Sequence, residues 1–163
     1  MSARGRYWKP ILVAAGAALA VGAFGAWMTE LGPWYYGLRV PPWKPPDWLF
    51  GPAWTLIFSL AAIAGVLAWR NARTRGAQVA ILLLFALNIN LNILWSGLFF
   101  RLQRPDFALV EVVFLWLSIV LLIAGLWRHS RLASVLLVPY LAWVTFAAVL
   151  NLAVVRLNGP FAG

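Results

Sequence analysis

Residues 34–54 read WYYGLRVPPWKPPDWLFGPAW and hold four of the chain's eleven tryptophans and five of its ten prolines. This aromatic, proline-rich stretch lies between two runs of residues that are apolar enough to enter a lipid bilayer. Proline fixes the backbone φ angle and lowers the entropy cost of ordering the chain around it. The stretch therefore predicts a conformationally restricted loop between two membrane helices.

The composition of the whole chain is that of a membrane protein. Of its 163 residues, 64% are apolar and 10% are charged, and the mean hydropathy is +0.86. A spanning helix needs about 20 mostly apolar residues. Five such runs are present, at 10–28, 49–69, 77–100, 107–127 and 132–155. We therefore expect an all-α integral membrane protein, with residues 1–163 forming one bundle of five transmembrane helices and residues 29–48 forming a lid.

The first run has an alternative explanation. RGRYWKP followed by ILVAAGAALAVGAFGA also resembles the basic and apolar regions of a secretory signal peptide. Pro10 suits the first turn of a helix, and the apolar stretch is long enough to span. These features favour a retained helix.

The formal net charge of +9 is explained by membrane topology rather than by nucleic-acid binding, because the basic residues lie in short turns between the runs. With five spans, one side carries Arg4, Arg6, Lys9, Arg70, Arg73, Arg75, Arg128 and Arg131, and the other carries Arg39, Lys44, Arg101, Arg104 and Arg156. The positive-inside rule then predicts a cytoplasmic N-terminus, with the lid on the opposite face.

Small residues recur every four positions in the first run, at Ala14, Ala18, Gly22 and Ala26. This spacing lines one helical face and lets another backbone approach closely, which is how helices associate in lipid. The pattern predicts either a packing contact within the chain or the seam of a homodimer.

Polar residues within the apolar runs need a partner or a cavity. Asn88 and Asn92 share a helical face, whereas Asn90 points nearly the opposite way, and Asn151 lies in the last run. These asparagines predict either hydrogen bonds between helices or polar contacts in a ligand pocket. Glu111 is expected to form a structural ion pair.

The last run carries an aromatic stripe. Tyr140, Trp143, Ala147 and Leu150 follow one another at steps of three, four and three and therefore share one helical face. Pro139 should bend the helix just before the stripe. The resulting face suits either a neighbouring helix or a flat ligand.

Conventional catalytic sets are missing from the sequence. Cysteine is absent, His129 is the only histidine, and the four acidic residues are scattered. No Ser-His-acid combination, phosphate-binding loop or metal-ligand spacing can be assembled from these residues. An enzymatic function would have to use tryptophan or a bound ligand, and we expect neither a metal nor a required cofactor.

Four segments carry a resemblance to a known family. They are WYYGLRVPPWKPPDWLFGPAWTLIFS at 34–59, LNILWSGLFF at 91–100, ALVEV at 108–112 and PYLAWVTFAAVLN at 139–151. The chain resembles the translocator protein family, whose bacterial members are called tryptophan-rich sensory proteins. The resemblance implies a five-helix bundle, commonly a homodimer, that binds protoporphyrin IX, haem, sterols and benzodiazepine-site ligands in a pocket beneath the first loop.

Carried over motif by motif, the resemblance implies a pocket formed by Trp43, Trp54, Asn92, Trp95, Phe107, Trp143, Ala147 and Leu150. It also implies that Trp54 and Trp143 are the tryptophans on which a light- and oxygen-dependent degradation of protoporphyrin would depend. Phe107 stands where relatives often carry Trp. Leu152 replaces the Tyr of the animal sterol motif, so sterol binding through that motif is not expected.

Three functions follow as alternatives. The first is a membrane-embedded sensor, scavenger or transporter that binds tetrapyrroles in a bacterial envelope. The second is an enzyme of porphyrin photodegradation, and the third is a structural protein whose aromatic surfaces bind other membrane proteins.

Overall fold

The computed structural model describes residues 8–29 and 31–161, and every regular element within these two ranges is helical. The helices are α1 (Trp8–Met28), α2 (Pro33–Gly37), α3 (Phe50–Asn71), α4 (Arg75–Ser96), α5 (Pro105–Trp127), α6 (Arg131–Leu136) and α7 (Val138–Asn158). A 3-10 turn, Asp47–Leu49, leads into α3, and a π-helical turn, Gly97–Arg101, extends α4. The predicted lid therefore contains a short helix, α2, and ends in the 3-10 turn.

Four helical stretches of the described chain are long and apolar enough to cross a membrane: Asp47–Asn71, Arg75–Arg101, Pro105–Trp127 and Arg131–Asn158. The protein is therefore a multi-pass, all-helical membrane protein. The first predicted run lies in α1, where the described apolar stretch, Ile11–Ala20, is shorter than a bilayer requires. A fifth span formed by α1 stays a prediction.

Local chemistry sets where several helices begin. The Thr74 side chain accepts a hydrogen bond from the Ala77 N–H at 3.1 Å, and the Ser130 side chain accepts one from the Ala133 N–H at 3.2 Å. Each satisfies an N–H that has no partner within its own helix. Pro105 begins α5, where its missing N–H costs nothing because that position needs no donor.

The last predicted run is not one continuous helix. It is divided at Leu137 into α6 and α7, two residues before Pro139. Proline has no N–H to donate, and its ring crowds the carbonyl group four residues earlier, so the helical hydrogen bonding is interrupted where the sequence predicts a bend.

The centre of the bundle is the inner face of α5, which packs against α4 on one side and α7 on the other. Leu115, Ile119, Leu122 and Leu126 lie on this face at steps of four, three and four and are fully or almost fully buried. Gly125 permits the close approach of α4, because a Cβ atom there would lie 2.9 Å from Cδ1 of Leu84.

Candidate ligand-binding cavity

A cavity of about 1200 Å³ lies beneath the lid, between α1, α3, α4 and α7. We call it the main cavity. It extends from Tyr35 and Asp47 in the lid to Arg70 near the end of α3. Its volume exceeds the range of about 300–1000 Å³ that is usual for small-molecule sites, so it has room for a ligand of drug size or larger.

Five of the eight predicted ligand-binding residues line the main cavity: Trp54, Asn92, Trp95, Trp143 and Ala147. They come from α3, α4 and α7, which are distant in sequence, so the fold is what brings them together. The structure places Trp43, Phe107 and Leu150 outside its lining.

The three remaining residues each have a different environment. Trp43 is 47% exposed and packs its ring edge-on against Phe146, with centroids 5.9 Å apart. Leu150 is partly buried on α7. Phe107 is half-exposed, and the Arg104 guanidinium carbon lies 3.8 Å from its ring centroid, so this ring is covered by a cation rather than turned into the cavity.

Aromatic rings form much of the cavity wall. Trp54 stacks on Phe58 at 5.2 Å and meets Tyr140 edge-on at 6.1 Å. One turn earlier on α3, Phe50 meets Trp143 of α7 edge-on at 5.6 Å. These spacings are typical of favourable aromatic pairs, which hold the indole rings in fixed orientations.

One attachment of the lid joins its two ends. The Tyr35 hydroxyl donates a hydrogen bond of 2.8 Å to Oδ1 of Asp47, and the same oxygen accepts from Lys44 Nζ. The Lys44 ammonium also lies 5.5 Å from the centre of the Tyr35 ring. Burial, and then the hydrogen bond to Asp47, raise the pKa of Tyr35 above its ordinary value, so the phenol stays a donor at neutral pH.

A second attachment joins the middle of the lid to α7. The Arg39 N–H donates to Oδ1 of Asn158, and the Asn158 Nδ2 group donates to the Arg39 carbonyl, both at 2.8 Å. The amide thus pairs with both backbone groups of one lid residue. Together with the packing of Trp43 on Phe146, it holds the lid over the α7 side of the main cavity.

A buried polar network lies below the lid. Asn88 donates to the Ser118 hydroxyl at 2.8 Å, Tyr140 donates to Oδ1 of Asn88 at 3.2 Å, and Asn92 donates to the Tyr140 oxygen at 3.3 Å. The network connects α4, α5 and α7. Of the two alternatives for these asparagines, hydrogen bonding between helices holds for Asn88 and Asn92. Asn92 also lines the main cavity, and its contact with a ligand stays a prediction.

The sequence of the chain is similar to those of known proteins. A model of the TspO/MBR family matches residues 13–157. The chain is 44% identical over 149 residues to the tryptophan-rich protein TspO of Chlorobaculum tepidum, covering 88% of this chain and 92% of the relative. It is 32% identical over 131 residues to the translocator protein of Homo sapiens, covering 80% and 78% of the two chains.

The chain belongs to the TspO/MBR family. The resemblance recognised in its sequence motifs is thereby confirmed. Membership of the family and the apolar helices together identify a multi-pass membrane protein, consistent with a sensor or binding role.

In this TspO/MBR protein the small residues of α1 face inward. Ala14, Ala18 and Gly22 line the main cavity, and a Cβ atom at Gly22 would lie 3.9 Å from Phe58. This is the contact within the chain that the sequence left open. The side chain of Ala26 lies outside the described part of the structure, and the homodimer seam stays a prediction.

The other polar residues of the helices differ in their partners. Asn90 donates to the Ala86 carbonyl of its own helix, and Asn151, in the orientation that satisfies both amide groups, donates to Pro105 O and accepts from Leu109 N. The ion pair expected for Glu111 is not formed among the described residues. This carboxyl group is 95% buried, and neither of its oxygens has a hydrogen-bond partner.

Several residues that line the main cavity of this protein were not identified from its sequence. They are Tyr35, Asp47, Phe50, Phe58, Ser96 and Phe100. Phe58 could have been found, because it lies four residues after Trp54 and so shares its helical face. Asp47 could not, since its place at the cavity depends on the path of the lid. Within the described ranges, no three His, Cys, Asp or Glu side chains come together as a metal site.

Proposed function

We propose that this TspO/MBR protein is a membrane-embedded binding protein for porphyrins and related flat tetrapyrroles, acting as a sensor, scavenger or transporter. The observation that carries the proposal is the main cavity itself, which combines about 1200 Å³ of space with three indole rings beneath a lid that is hydrogen-bonded across its own ends and, at its middle, to α7. Protoporphyrin IX and haem are flat and largely apolar, and their faces suit aromatic walls.

The polar groups of the cavity match the edge of such a ligand. A tetrapyrrole carries acidic side chains at one edge, and Arg70 lies among the lining residues at the end of α3. Asn92 and Ser96 line the cavity deeper between the helices and offer hydrogen bonds. A few polar groups among aromatic walls fix the orientation of a ligand without weakening its apolar contacts.

Titration of protoporphyrin IX against the purified chain tests the proposal. We expect a shifted Soret band and quenched tryptophan fluorescence at micromolar ligand. The variant Trp143→Leu should bind about 3- to 10-fold more weakly, since a favourable aromatic contact contributes about 0.5–1.5 kcal/mol. Trp48→Leu is the matched control, because Trp48 is 71% exposed and does not line the cavity. No Soret shift, or equal affinity in both variants, would refute the proposal.

A second candidate function is the light- and oxygen-dependent degradation of protoporphyrin IX. It is favoured by one observation, that Trp54 and Trp143 line the same cavity from α3 and α7. A photoexcited porphyrin can transfer energy to oxygen or accept an electron from a neighbouring indole. Illuminated aerobic samples should lose the Soret band and gain a new product. Equal bleaching by the Trp54→Phe/Trp143→Phe double variant would exclude this role.

Three further features belong to the proposal. We infer that α1 forms the fifth span, with the N-terminus in the cytoplasm of a bacterial cell and the lid on the outer face of an envelope membrane, and that the protein is a homodimer. Light scattering of the protein in detergent tests the homodimer. Single cysteines introduced into the lid and labelled in intact cells test the orientation.

Sterols and benzodiazepine-site ligands are further candidates for the main cavity, and the surrounding lipid is the constant partner of the protein.

A further inference from the structure

The end of the bundle opposite the lid carries a group of arginines. Two loops reach this end, residues 72–74 between α3 and α4 and residues 128–130 between α5 and α6. Arg73, Arg75, Arg128 and Arg131 lie in these loops or at the helix ends beside them, and all four are exposed. We call these four residues the basic patch.

The packing of α3 against α6 brings the two loops together. Ala72 directly follows α3, Leu126 lies in the last turn of α5 and Ala133 lies in the first turn of α6. All three are buried in one hydrophobic cluster. Because this cluster lies beneath both loops, Arg73, next to Ala72, and Arg131, two residues before Ala133, belong to one surface rather than to two separate turns.

The basic patch has no carboxylate beside it in the part of the chain that the structure describes. Asp47 and Asp106 lie at the lid end, where they pair with Lys44 and Arg104. Glu111 is buried about four turns from the end of α5. Positive charges gathered without such partners create a potential that attracts anions.

Two tryptophans place the basic patch at the level of the lipid headgroups. Trp69 lies in the last turn of α3, and Trp127, the last residue of α5, is 50% exposed. Indole rings favour the interface between membrane and water. The Arg131 guanidinium carbon lies 5.6 Å from the centre of the Trp127 ring, which holds this cation at the same level.

The surface beside the basic patch is apolar. Leu132 and Val135 of α6 are 58% and 53% exposed, and their spacing of three puts them on one helical face. The positive-inside rule accounts for arginines on one side of a membrane, but it does not require them to adjoin such a face. A guanidinium group binds phosphate through two parallel hydrogen bonds, so the surface matches a molecule with a phosphate and an apolar chain.

We propose that the basic patch is a binding site for an anionic phospholipid with the chemistry of phosphatidylglycerol, in the leaflet at this end of the bundle. The phosphate lies between Arg73 and Arg131, and an acyl chain lies along Leu132 and Val135. None of these residues lines the main cavity, so the lipid site is separate from the tetrapyrrole site and does not depend on that proposal.

Native mass spectrometry of the full chain in detergent tests the site. Delipidated protein is titrated with dioleoyl phosphatidylglycerol, and the matched control lipid is dioleoyl phosphatidylcholine, which has the same chains and no net charge. We expect Arg73→Gln/Arg131→Gln to bind phosphatidylglycerol about 30-fold more weakly, given the usual contribution of an arginine at a membrane surface. Equal affinity of the wild-type protein for the two lipids would overturn the proposal.

A second double variant separates a site from a general effect of charge. Arg39→Gln/Arg156→Gln removes the same charge from exposed positions at the lid end and should bind phosphatidylglycerol as the wild type does. Equal weakening in both double variants would mean that net charge alone attracts the lipid and would overturn the proposal. Arg128→Gln replaces Arg131→Gln if the first pair does not fold.

Photolabelling locates the acyl chain. Phosphatidylglycerol with a diazirine in one acyl chain should label residues 131–136 in the wild-type protein, and Arg73→Gln/Arg131→Gln should lose this labelling. Labelling that is unchanged in the variant would show that the arginines do not hold the headgroup. Displacement of the lipid by millimolar inorganic phosphate would assign the basic patch to a soluble anion instead and would likewise overturn the proposal.

Discussion

The side chain of Asn158 pairs with both backbone groups of Arg39, which lies 119 residues earlier in the chain. Asn158 is the last residue of α7, and Arg39 lies in the middle of the lid. The two 2.8 Å hydrogen bonds therefore fix the middle of the lid to the end of α7. Because the pair is exposed, water competes for it, so each hydrogen bond contributes at the low end of the usual net range.

Removal of this pair should loosen the lid without disturbing the helices. For Asn158→Ala we expect protoporphyrin IX to dissociate about fivefold faster, since two exposed hydrogen bonds are lost and each contributes about 0.5 kcal/mol, the low end of the usual net range. Stopped-flow recovery of tryptophan fluorescence measures the rate. Asn90→Ala is the matched control, because Asn90 bonds only to the carbonyl of Ala86 in its own helix.

Asn158→Asp refines this prediction. The carboxylate still accepts from the Arg39 N–H but cannot donate to the Arg39 carbonyl, so the dissociation rate should lie between those of the wild-type protein and Asn158→Ala. A rate for Asn158→Ala equal to that of the wild type would show that the pair does not hold the lid closed.

The hydrogen bond between Tyr35 and Asp47, which joins the two ends of the lid, should be insensitive to pH over a wide range. Burial raises the pKa of Tyr35, and a phenol in its neutral form donates to Asp47. A raised pKa in the folded state means that the contribution to stability is complete below the ordinary tyrosine value of about 10 and is lost only above it. We expect the rate of ligand release to be constant from neutral pH to about pH 9.

Tyr35→Phe should accelerate ligand release at every pH in that range, because it removes the hydrogen bond and keeps the ring. Tyr36→Phe, in a more exposed neighbour, should not change the rate. Release from the wild-type protein that accelerates between pH 7 and pH 9 would contradict the assigned role of the Tyr35 hydroxyl.

Glu111 and Asn88 offer a comparison between a buried polar group without partners and one with partners. Both are about 95% buried on facing helices, but only Asn88 is hydrogen-bonded. Glu111→Leu should increase the free energy of unfolding, because a desolvated carboxyl group is replaced by an apolar side chain. Asn88→Leu should lower it by about 1–3 kcal/mol, because Ser118 and Tyr140 lose their partner.

Thermal unfolding in detergent, followed by circular dichroism, measures both variants. A decrease in stability for Glu111→Leu as large as that for Asn88→Leu would indicate that Glu111 has a stabilising contact, through water or an ion, that the protein side chains do not provide.

The sequence predicts the helices far better than it predicts the site. Apolar runs of sufficient length and the position of Pro139 are local properties: four of the five runs coincide with stretches long enough to span, and the break between α6 and α7 lies two residues before Pro139. The stripe of Tyr140, Trp143, Ala147 and Leu150 also follows from helical periodicity. Trp143 and Ala147 border the main cavity, Tyr140 borders an adjoining groove between α1, α3 and α4, and Leu150 lines neither of them.

The residues that periodicity does not place depend on contacts between distant segments. The position of Phe107 is decided by Arg104, which forms a two-pronged ion pair with Asp106 and lies over the Phe107 ring. The resemblance to the family places an aromatic residue at this position in the pocket, but it contains no information on this local cation. The exposed position of Trp43 likewise depends on the path of the proline-rich lid.

The different environments of Phe107 and Phe50 lead to a final prediction. Phe107 lies outside the main cavity beneath the Arg104 guanidinium, whereas Phe50 lines the cavity and meets Trp143 edge-on at 5.6 Å. Phe107→Ala should therefore leave the affinity for protoporphyrin IX within about twofold of the wild type. Phe50→Ala should weaken it by about 3- to 10-fold, because it removes a cavity wall and the support of the Trp143 ring.

Fluorescence titration at equal protein concentrations compares the two variants, and near-ultraviolet circular dichroism of the ligand-free proteins checks that both retain their aromatic packing. Arg104→Gln adds a further control, since it uncovers the Phe107 ring while leaving the ring itself in place. Arg104→Gln can be combined with Phe107→Ala in a double variant. If Arg104→Gln raises the affinity for protoporphyrin IX and the double variant does not, the Phe107 ring enters the cavity once the cation is removed. A large loss of affinity in Phe107→Ala on the wild-type background would instead show that the ring contacts the ligand, in conflict with its position beneath the Arg104 guanidinium and outside the main cavity.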